Sequence, residues 1–85
     1  MLKIVFFGRL REVISIDELS IEVYDLQPCT VQNIIKLLED KYSLFKDYIE
    51  QGNRLMIAVN QEISAPERRL QSGDELALFP PVTGG

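Results

Sequence analysis

The fold of this chain is decided by residues 30–42, which read TVQNIIKLLEDKY. Thr30 is a favourable N-cap residue, and the apolar side chains after it recur with the period of an α-helix. The apolar stripe consists of Val31, Ile34, Ile35, Leu38 and Tyr42. The sequence therefore predicts one amphipathic helix, whose apolar side must be covered by the rest of the chain.

Short apolar or alternating segments typical of β-strands lie on both sides of this helix. Residues 2–7 place Leu2, Ile4 and Phe6 on one face of a strand, and residues 16–24 form a second strand with Leu19, Ile21 and Val23 facing inward. After it, residues 55–59 are almost continuously apolar, 63–64 suit a short edge strand, and 75–79 follow a tight turn. The sequence thus predicts five strands around one main helix.

The connecting segments are predicted with less regular structure. Residues 8–14 suit a bend with a helical turn, and residues 66–70 suit a turn of helix. A second, shorter helix is predicted after residue 42, with Ser43 as its N-cap and Gly52 as its stop. No repeat or linker interrupts the chain, so these elements belong to one domain.

The order strand, strand, helix, strand, short strand, strand favours an α+β roll. The main helix provides the crossover that a parallel neighbour of the first strand requires. The predicted fold class is therefore a mixed sheet with one main helix packed across one face.

Both faces of the predicted sheet carry apolar side chains. If Ile4, Phe6, Leu76 and Leu78 face the helix, their sequence neighbours must face the opposite way. Those neighbours are Val5, Phe7, Ala77 and Phe79. An exposed apolar patch favours a docking surface. The alternative is that the region near residue 52 or the 60–70 loop covers these rings.

Composition excludes several classes of function. The net charge of −4 argues against nucleic acid as a partner, and no apolar run approaches the length of a membrane span. With no histidine, the chain lacks the commonest general base and metal ligand, so no metal site is predicted. Cys29 is the sole cysteine, which fits a reducing cytoplasm, and we interpret it as a small, partly buried structural residue.

The chain ends in Phe79-Pro80-Pro81-Val82-Thr83-Gly84-Gly85. The two prolines and the β-branched Val82 and Thr83 favour extended backbone, so the residues after Phe79 could reach about 20 Å. The terminal carboxylate follows two residues without side chains and could enter a narrow channel. We predict a globular domain over residues 1–79 and an extended tail over residues 80–85.

These features resemble the small subunits of molybdopterin synthase, which are ubiquitin-like β-grasp sulfur carriers. The resemblance covers essentially the whole chain. It is carried by Lys3-Ile4-Val5-Phe6-Phe7, Arg11-Glu12, Ala58-Val59-Asn60-Gln61 and residues 72–85, SGDELALFPPVTGG. A terminal Gly-Gly is shared by all ubiquitin-like modifiers, but the preceding Phe-Pro-Pro-Val-Thr is more specific. The resemblance implies a β-grasp fold.

The resemblance also implies a function for the chain end. In that family an ATP-dependent activating enzyme adenylates the terminal glycine, here Gly85, which is then converted to a thiocarboxylate. The loaded tail enters the large subunit, which supplies the catalytic groups, and sulfur passes to a cyclic pyranopterin precursor to form the molybdopterin dithiolene. The expected assembly is a cytoplasmic heterotetramer of two small and two large subunits. No cofactor is expected on this chain, since ATP is used by the activating enzyme.

Partner contacts are carried over by motif position. Phe7, Ile63 and Phe79 match the family's hydrophobic contacts with its two partners, and the Asn60-Gln61 pair fixes the register of Ile63. The remaining partner-binding residues implied by the resemblance are Pro80, Pro81, Val82, Thr83 and Gly84.

Three other functions remain open from the sequence. Conjugation of Gly85 to lysine, as in ubiquitin-related modifiers, would use the same activation. A thiazole-pathway sulfur carrier is also a small β-grasp chain ending in Gly-Gly, although such chains are usually shorter and lack the Phe-Pro-Pro-Val-Thr phrase. A plain interaction domain with an incidental terminus is the last alternative.

Overall fold

The computed structural model describes residues 1–81 of the 85-residue chain. Its elements follow the order β, α, β, 3₁₀, α, α, β, β, β. They are β1 (Leu2–Phe6), α1 (Gly8–Ile14), β2 (Glu18–Ile21), a 3₁₀ turn (Val23–Asp25), α2 (Val31–Lys41), α3 (Ser43–Glu50), β3 (Met56–Val59), β4 (Glu62–Ile63) and β5 (Glu75–Phe79). Within this described part of the chain, no helix combines the length and apolar character needed to cross a membrane.

The strands form one mixed five-stranded sheet in the order β2-β1-β5-β3-β4. β1 runs parallel to β5, while β1–β2, β3–β5 and β3–β4 are antiparallel pairs. β5 is the last strand in the sequence, yet it lies at the centre of the sheet. This arrangement is the predicted β-grasp roll.

The core lies between one face of the sheet and the helices. Ile4, Phe6, Leu76 and Leu78 are at most 1% exposed, which confirms the side chains predicted to face the helix. From α2 the core receives three fully buried side chains, Val31, Ile34 and Leu38. The main helix therefore covers the sheet through the apolar stripe that its sequence predicts.

The predicted start of α2 is confirmed in detail. The Thr30 hydroxyl accepts a hydrogen bond from the Asn33 backbone N–H at 3.2 Å, and the Asn33 side chain donates to the Pro28 carbonyl at 2.7 Å. Thr30 thus satisfies one of the backbone donors that a helix leaves unpaired in its first turn.

The prediction of a helical turn over residues 66–70 is wrong. Only a turn forms there, and the chain then runs extended beside the start of α2, where it forms a bridge between Arg69 and Thr30. The Val31 N–H donates to the Arg68 carbonyl at 3.0 Å, and the Gln32 N–H donates to the Pro66 carbonyl at 2.9 Å. This segment is non-helical because its carbonyls accept hydrogen bonds from the first backbone N–H groups of α2, which have no partner within that helix.

Strands β1, β3 and β4 differ from their predicted bounds by one residue, and three larger differences have a structural cause. The predicted strand over residues 16–24 is shorter, because the Asp25 N–H bonds to the Glu22 carbonyl at 3.1 Å and turns the chain out of the sheet. The bend predicted over 8–14 is the complete helix α1, which buries Leu10 and Ile14. Ser43 is not an N-cap. Tyr42 lies between the two helices and is both the C-cap of α2 and the N-cap of α3, so Ser43 is already helical.

Candidate functional site

The face of the sheet opposite the helices is built by strand alternation. Cross-strand pairing places Val5 beside Ala77, Ala77 beside Ala58, and Ala58 beside Ile63. These four residues form a row across β1, β5, β3 and β4. Val5 and Ala58 are only 8% and 7% exposed, so the expectation that Val5 forms part of an exposed patch is wrong, and the exposed apolar area lies beside these two residues.

Larger side chains lie beside this row, towards the end of β5. Met56 pairs with Phe79, and the Phe7 N–H donates to the Leu78 carbonyl at 3.1 Å, which continues the β1–β5 pairing one residue further. Phe7 is 49% exposed, and Phe79 is half-buried. We call the residues of the row and its neighbours the outer surface: Val5, Phe7, Met56, Ala58, Ile63, Ala77 and Phe79.

The structure brings together the three side chains predicted to contact partners. Phe7, Ile63 and Phe79 lie on the same face of the sheet, although they come from three separate parts of the sequence. Ile63 is 67% exposed on the edge strand β4, so neither it nor Phe7 is covered by the 60–70 loop or by the region near residue 52. The alternative in which another segment buries the outward-facing rings is therefore wrong for Phe7, which is 49% exposed, while Phe79 is half-buried.

The opposite end of the same sheet face is charged. Lys3, two residues before Val5, has its ammonium 3.9 Å from a carboxylate oxygen of Glu18 and 3.8 Å from one of Glu75. All three side chains are at least 37% exposed, and such pairs contribute little to stability. The face therefore changes from charged at the start of β5 to apolar at its end, where the chain leaves the sheet.

Gly8 gives the departing chain a close neighbour that the sequence analysis missed. Its φ of +60° is a left-handed conformation, and a Cβ added there would lie 3.3 Å from Cγ of Pro80. Pro80 and Pro81 are half-buried, so the first residues after β5 lie against the body of the protein. The only sequence signal for this contact was a glycine directly after the first strand. Val82, Thr83, Gly84 and Gly85 lie outside the described residues.

Cys29 has no features of a reactive nucleophile. The side chain is 8% exposed, as predicted for a partly buried structural residue, and burial followed by the charge of Asp74 raises the pKa of its thiol. A raised pKa reduces the thiolate fraction near neutral pH. Over residues 1–81, no group of three or more histidine, cysteine, aspartate or glutamate side chains is placed to hold a metal ion.

Comparison with known proteins identifies the family. The ThiS family matches residues 4–85 of this chain. A molybdopterin synthase sulfur carrier subunit from Haemophilus influenzae is 36% identical over 85 residues, covering 100% of both chains. The chain belongs to the ThiS family, among the molybdopterin synthase sulfur carrier subunits.

Solved structures similar to this ThiS-family chain share its architecture. SAMP1 from Haloferax volcanii superimposes with a TM-score of 0.79 at 27% identity, covering 99% of this chain and 98% of that one. A chain in the complex of subunits 1 and 2 of molybdopterin-converting factor from Helicobacter pylori gives a TM-score of 0.69 at 24% identity, covering 99% and 97%. The β-grasp fold predicted from the sequence is confirmed.

Proposed function

We propose that this chain carries sulfur on Gly85 for a molybdopterin synthase. The observation that carries the proposal is the family match, which extends through the Phe-Pro-Pro-Val-Thr-Gly-Gly end of the chain to residue 85. The H. influenzae relative, a sulfur carrier subunit by name, also matches over its full length. In this proposal, residues 1–79 are the domain and residues 80–85 are the tail that bears the reactive group.

The proposed chemistry starts with the poor reactivity of a carboxylate. An activating enzyme joins the Gly85 carboxylate to AMP from ATP and releases pyrophosphate, which creates a good leaving group. A sulfur donor then displaces AMP, leaving a terminal thiocarboxylate. Its soft sulfur is a nucleophile that the original carboxylate lacks: it bonds to a carbon of the cyclic pyranopterin precursor in place of an oxygen substituent, and water then cleaves the acyl–sulfur bond and returns Gly85 to a carboxylate. Two successive transfers supply the two sulfurs of the dithiolene.

Catalytic groups are proposed to come from the large subunit. The developing charges need fixed donors such as lysine, arginine or backbone N–H groups around the substrate. In the described part of this chain, the terminal segment leaves the sheet beside the apolar side chains of the outer surface. This chain then contributes the sulfur and a docking surface, and the partner contributes the reaction site.

The outer surface is the proposed binding surface for both the activating enzyme and the large subunit. Phe7 is 49% exposed and Ile63 67%, and Phe79 lies next to the start of the tail, with Pro80 and Pro81 following directly. Exposed apolar side chains of this size on one face are typical of interface hot spots. Binding of the partner so close to the tail would orient Val82, Thr83, Gly84 and Gly85 towards the partner's reaction site.

The same proposal places the protein in the cytoplasm, in a heterotetramer of two small and two large subunits. A single cysteine, buried as a free thiol, suits a reducing compartment. The activating enzyme would meet the carrier before the large subunit does, so both would use the outer surface in turn.

The proposal is tested by loading and transfer in a purified system. The protein is incubated with the activating enzyme, ATP and a sulfur donor, and its intact mass is measured before the large subunit and precursor are added. We expect one sulfur-for-oxygen exchange at Gly85, followed by molybdopterin formation. Deleting Gly84 and Gly85 should abolish both while leaving the thermal unfolding midpoint unchanged, because a glycine has no side chain to bury in a core.

A second variant extends the chain by one bulky residue after Gly85, which should block adenylation in the same assay. Abundant Gly-Gly remnants on lysines in cells, without sulfur at the terminus, would instead identify a protein modifier. Full molybdopterin formation by the extended chain, without trimming of the added residue, would contradict the proposal.

A further inference from the structure

The turn between β3 and β4 has an unusual backbone conformation. Asn60 and Gln61 form its two-residue loop, with positive φ values of 51° and 70°. Such loops suit the twist of a hairpin, and asparagine tolerates this conformation better than most residues with side chains. Asn60 is therefore well suited to the backbone of the turn, but its side chain also makes contacts beyond the turn.

The Asn60 side chain binds the beginning of β5. Its carbonyl oxygen accepts the Glu75 N–H at 3.0 Å, and its amide donates to the Asp74 carboxylate at 3.0 Å. The Asn60 N–H also donates to the Glu75 carbonyl at 2.8 Å. Three hydrogen bonds from one residue thus connect the β3–β4 turn to the central strand.

Asp74 extends this connection. Its second carboxylate oxygen accepts the Gln71 N–H at 2.8 Å, and its backbone carbonyl accepts the Lys3 N–H at 3.1 Å. The hydrogen bond from Asn60, followed by that from Gln71, lowers the pKa of the Asp74 carboxyl. The charged carboxylate of Asp74 therefore holds the β3–β4 turn through Asn60 and the preceding turn through Gln71, while its backbone carbonyl bonds to β1.

The Ile63 side chain lies on a short edge strand and is mostly exposed. β4 contains only two residues at the edge of the sheet, and the Ile63 side chain is 67% exposed. Beyond the pairing of β4 with β3, the next bond along the chain is the Ser64 N–H to the Ile57 carbonyl at 3.0 Å. Packing cannot hold a side chain this exposed, so its placement depends on the turn before it.

We infer that Asn60, acting through Asp74, is a positioning residue for partner binding that holds Ile63 in place on the outer surface. This inference rests on the proposed function, in which the large subunit binds that surface. Fixing the hairpin before the partner arrives reduces the ordering cost of the complex, so a loosened turn weakens binding without removing any contacting side chain.

The test measures the affinity of the purified large subunit for the full chain and its variants. Asn60→Asp keeps an acceptor for the Glu75 N–H and tolerates positive φ, but it places a second carboxylate against Asp74. We expect about tenfold weaker binding, in the range of coupled neighbouring residues. Adding Asp74→Asn should restore most of the affinity, since the introduced amide can donate to the new carboxylate and still accept from Gln71.

A double-mutant cycle separates positioning from general destabilisation. In an Ile63→Ala background, Asn60→Asp should weaken binding less than about twofold, because the side chain that it positions is already gone. In a Phe7→Ala background, the same change should keep its full effect of about tenfold. Thermal unfolding of each variant shows that the affinities compare folded proteins.

Equal losses of affinity in the two backgrounds, or no loss from Asn60→Asp, would overturn this inference. So would a double variant Asn60→Asp/Asp74→Asn that binds no better than Asn60→Asp alone. Failure of the wild-type chain itself to bind the large subunit is a different result, since it would contradict the proposed function.

Discussion

Phe6 and Phe7 are adjacent in the sequence and have the same side chain, but they lie on opposite faces of the sheet. Phe6 is 1% exposed and packs into the core beneath the helices, whereas Phe7 is 49% exposed on the outer surface. The same contrast separates Leu78 from Phe79 on β5. Strand alternation therefore gives neighbouring apolar residues different tasks: one face stabilises the fold, and the other remains available for a partner.

Truncating Phe6 should produce the largest change in stability. We expect Phe6→Ala to lower the free energy of unfolding by about 3–5 kcal/mol, as for other buried aromatic side chains. Since small domains are stable by only about 5–15 kcal/mol, the variant should be close to unfolding. Urea denaturation measures this loss. Phe7→Ala is the matched control, expected to cost less than about 1 kcal/mol, and an equal cost at both positions would disprove the contrast between the faces.

Truncating Phe7 should instead have the larger effect on binding. We expect Phe7→Ala to weaken the complex with the large subunit by about 1–2 kcal/mol, in the range of interface hot spots, and Phe79→Ala to act similarly. Calorimetry on the purified proteins measures the affinity. Leu44 on α3 is a control of comparable exposure at 53%, because it belongs to the helical layer. A loss of affinity in Leu44→Ala as large as that in Phe7→Ala would contradict docking through the outer surface.

Gly8 provides a smaller test at the point where the tail leaves the outer surface. Gly8→Ala and Gly52→Ala both force a side chain into a left-handed conformation, which costs about 1–2 kcal/mol. Only Gly8 has a neighbour in the way, since a Cβ at Gly52 meets nothing within 4 Å. We therefore expect similar unfolding free energies but slower sulfur transfer in Gly8→Ala alone. Equal transfer rates would show that the contact with Pro80 does not aim the tail.

The smallest expected effect is the pH dependence of the edge that supports Ile63. The pKa of Asp74 is lowered in the folded protein, so its stabilising contribution is complete above the ordinary value near 4 and is lost as the pH falls through the folded value. The Asp74→Asn variant should therefore lose less stability than the wild type when the pH is lowered below about 4. Unfolding midpoints measured on both sides of this pH test the prediction, and parallel curves would contradict it.

The sequence predicts those parts of the fold in which apolar side chains repeat with the period of a helix or a strand. The stripe of α2 and the alternation of β1 and β5 follow from which side chains must be buried, and the same alternation places Phe7 and Phe79 on the outer surface. The sequence predicts only a helical turn where α1 forms, because this helix is short and buries only Leu10 and Ile14, too few residues for a clear helical period. The helical turn predicted over residues 66–70 does not form, because the carbonyls of this segment bond to residues far away in the sequence.

The supporting contacts of the site could not be predicted for the same reason. The close approach of Gly8 to Pro80 and the hydrogen bond between Asn60 and Asp74 join residues that are distant in sequence. No periodic pattern encodes either contact. A glycine after a strand and an asparagine in a turn have local explanations, and only the assembled sheet shows which neighbours they meet.

The central place of β5 has a consequence for how the protein is made. β1 and β3 both pair with this strand, the last of the five to emerge from the ribosome. A nascent chain cannot close its sheet earlier, and such long-range pairing is among the slower steps of folding. A product released before β5 would expose two unsatisfied strands and invite proteolysis. If the chain functions as proposed, every molecule that presents its terminal glycines for activation has therefore also received the strand that completes the domain.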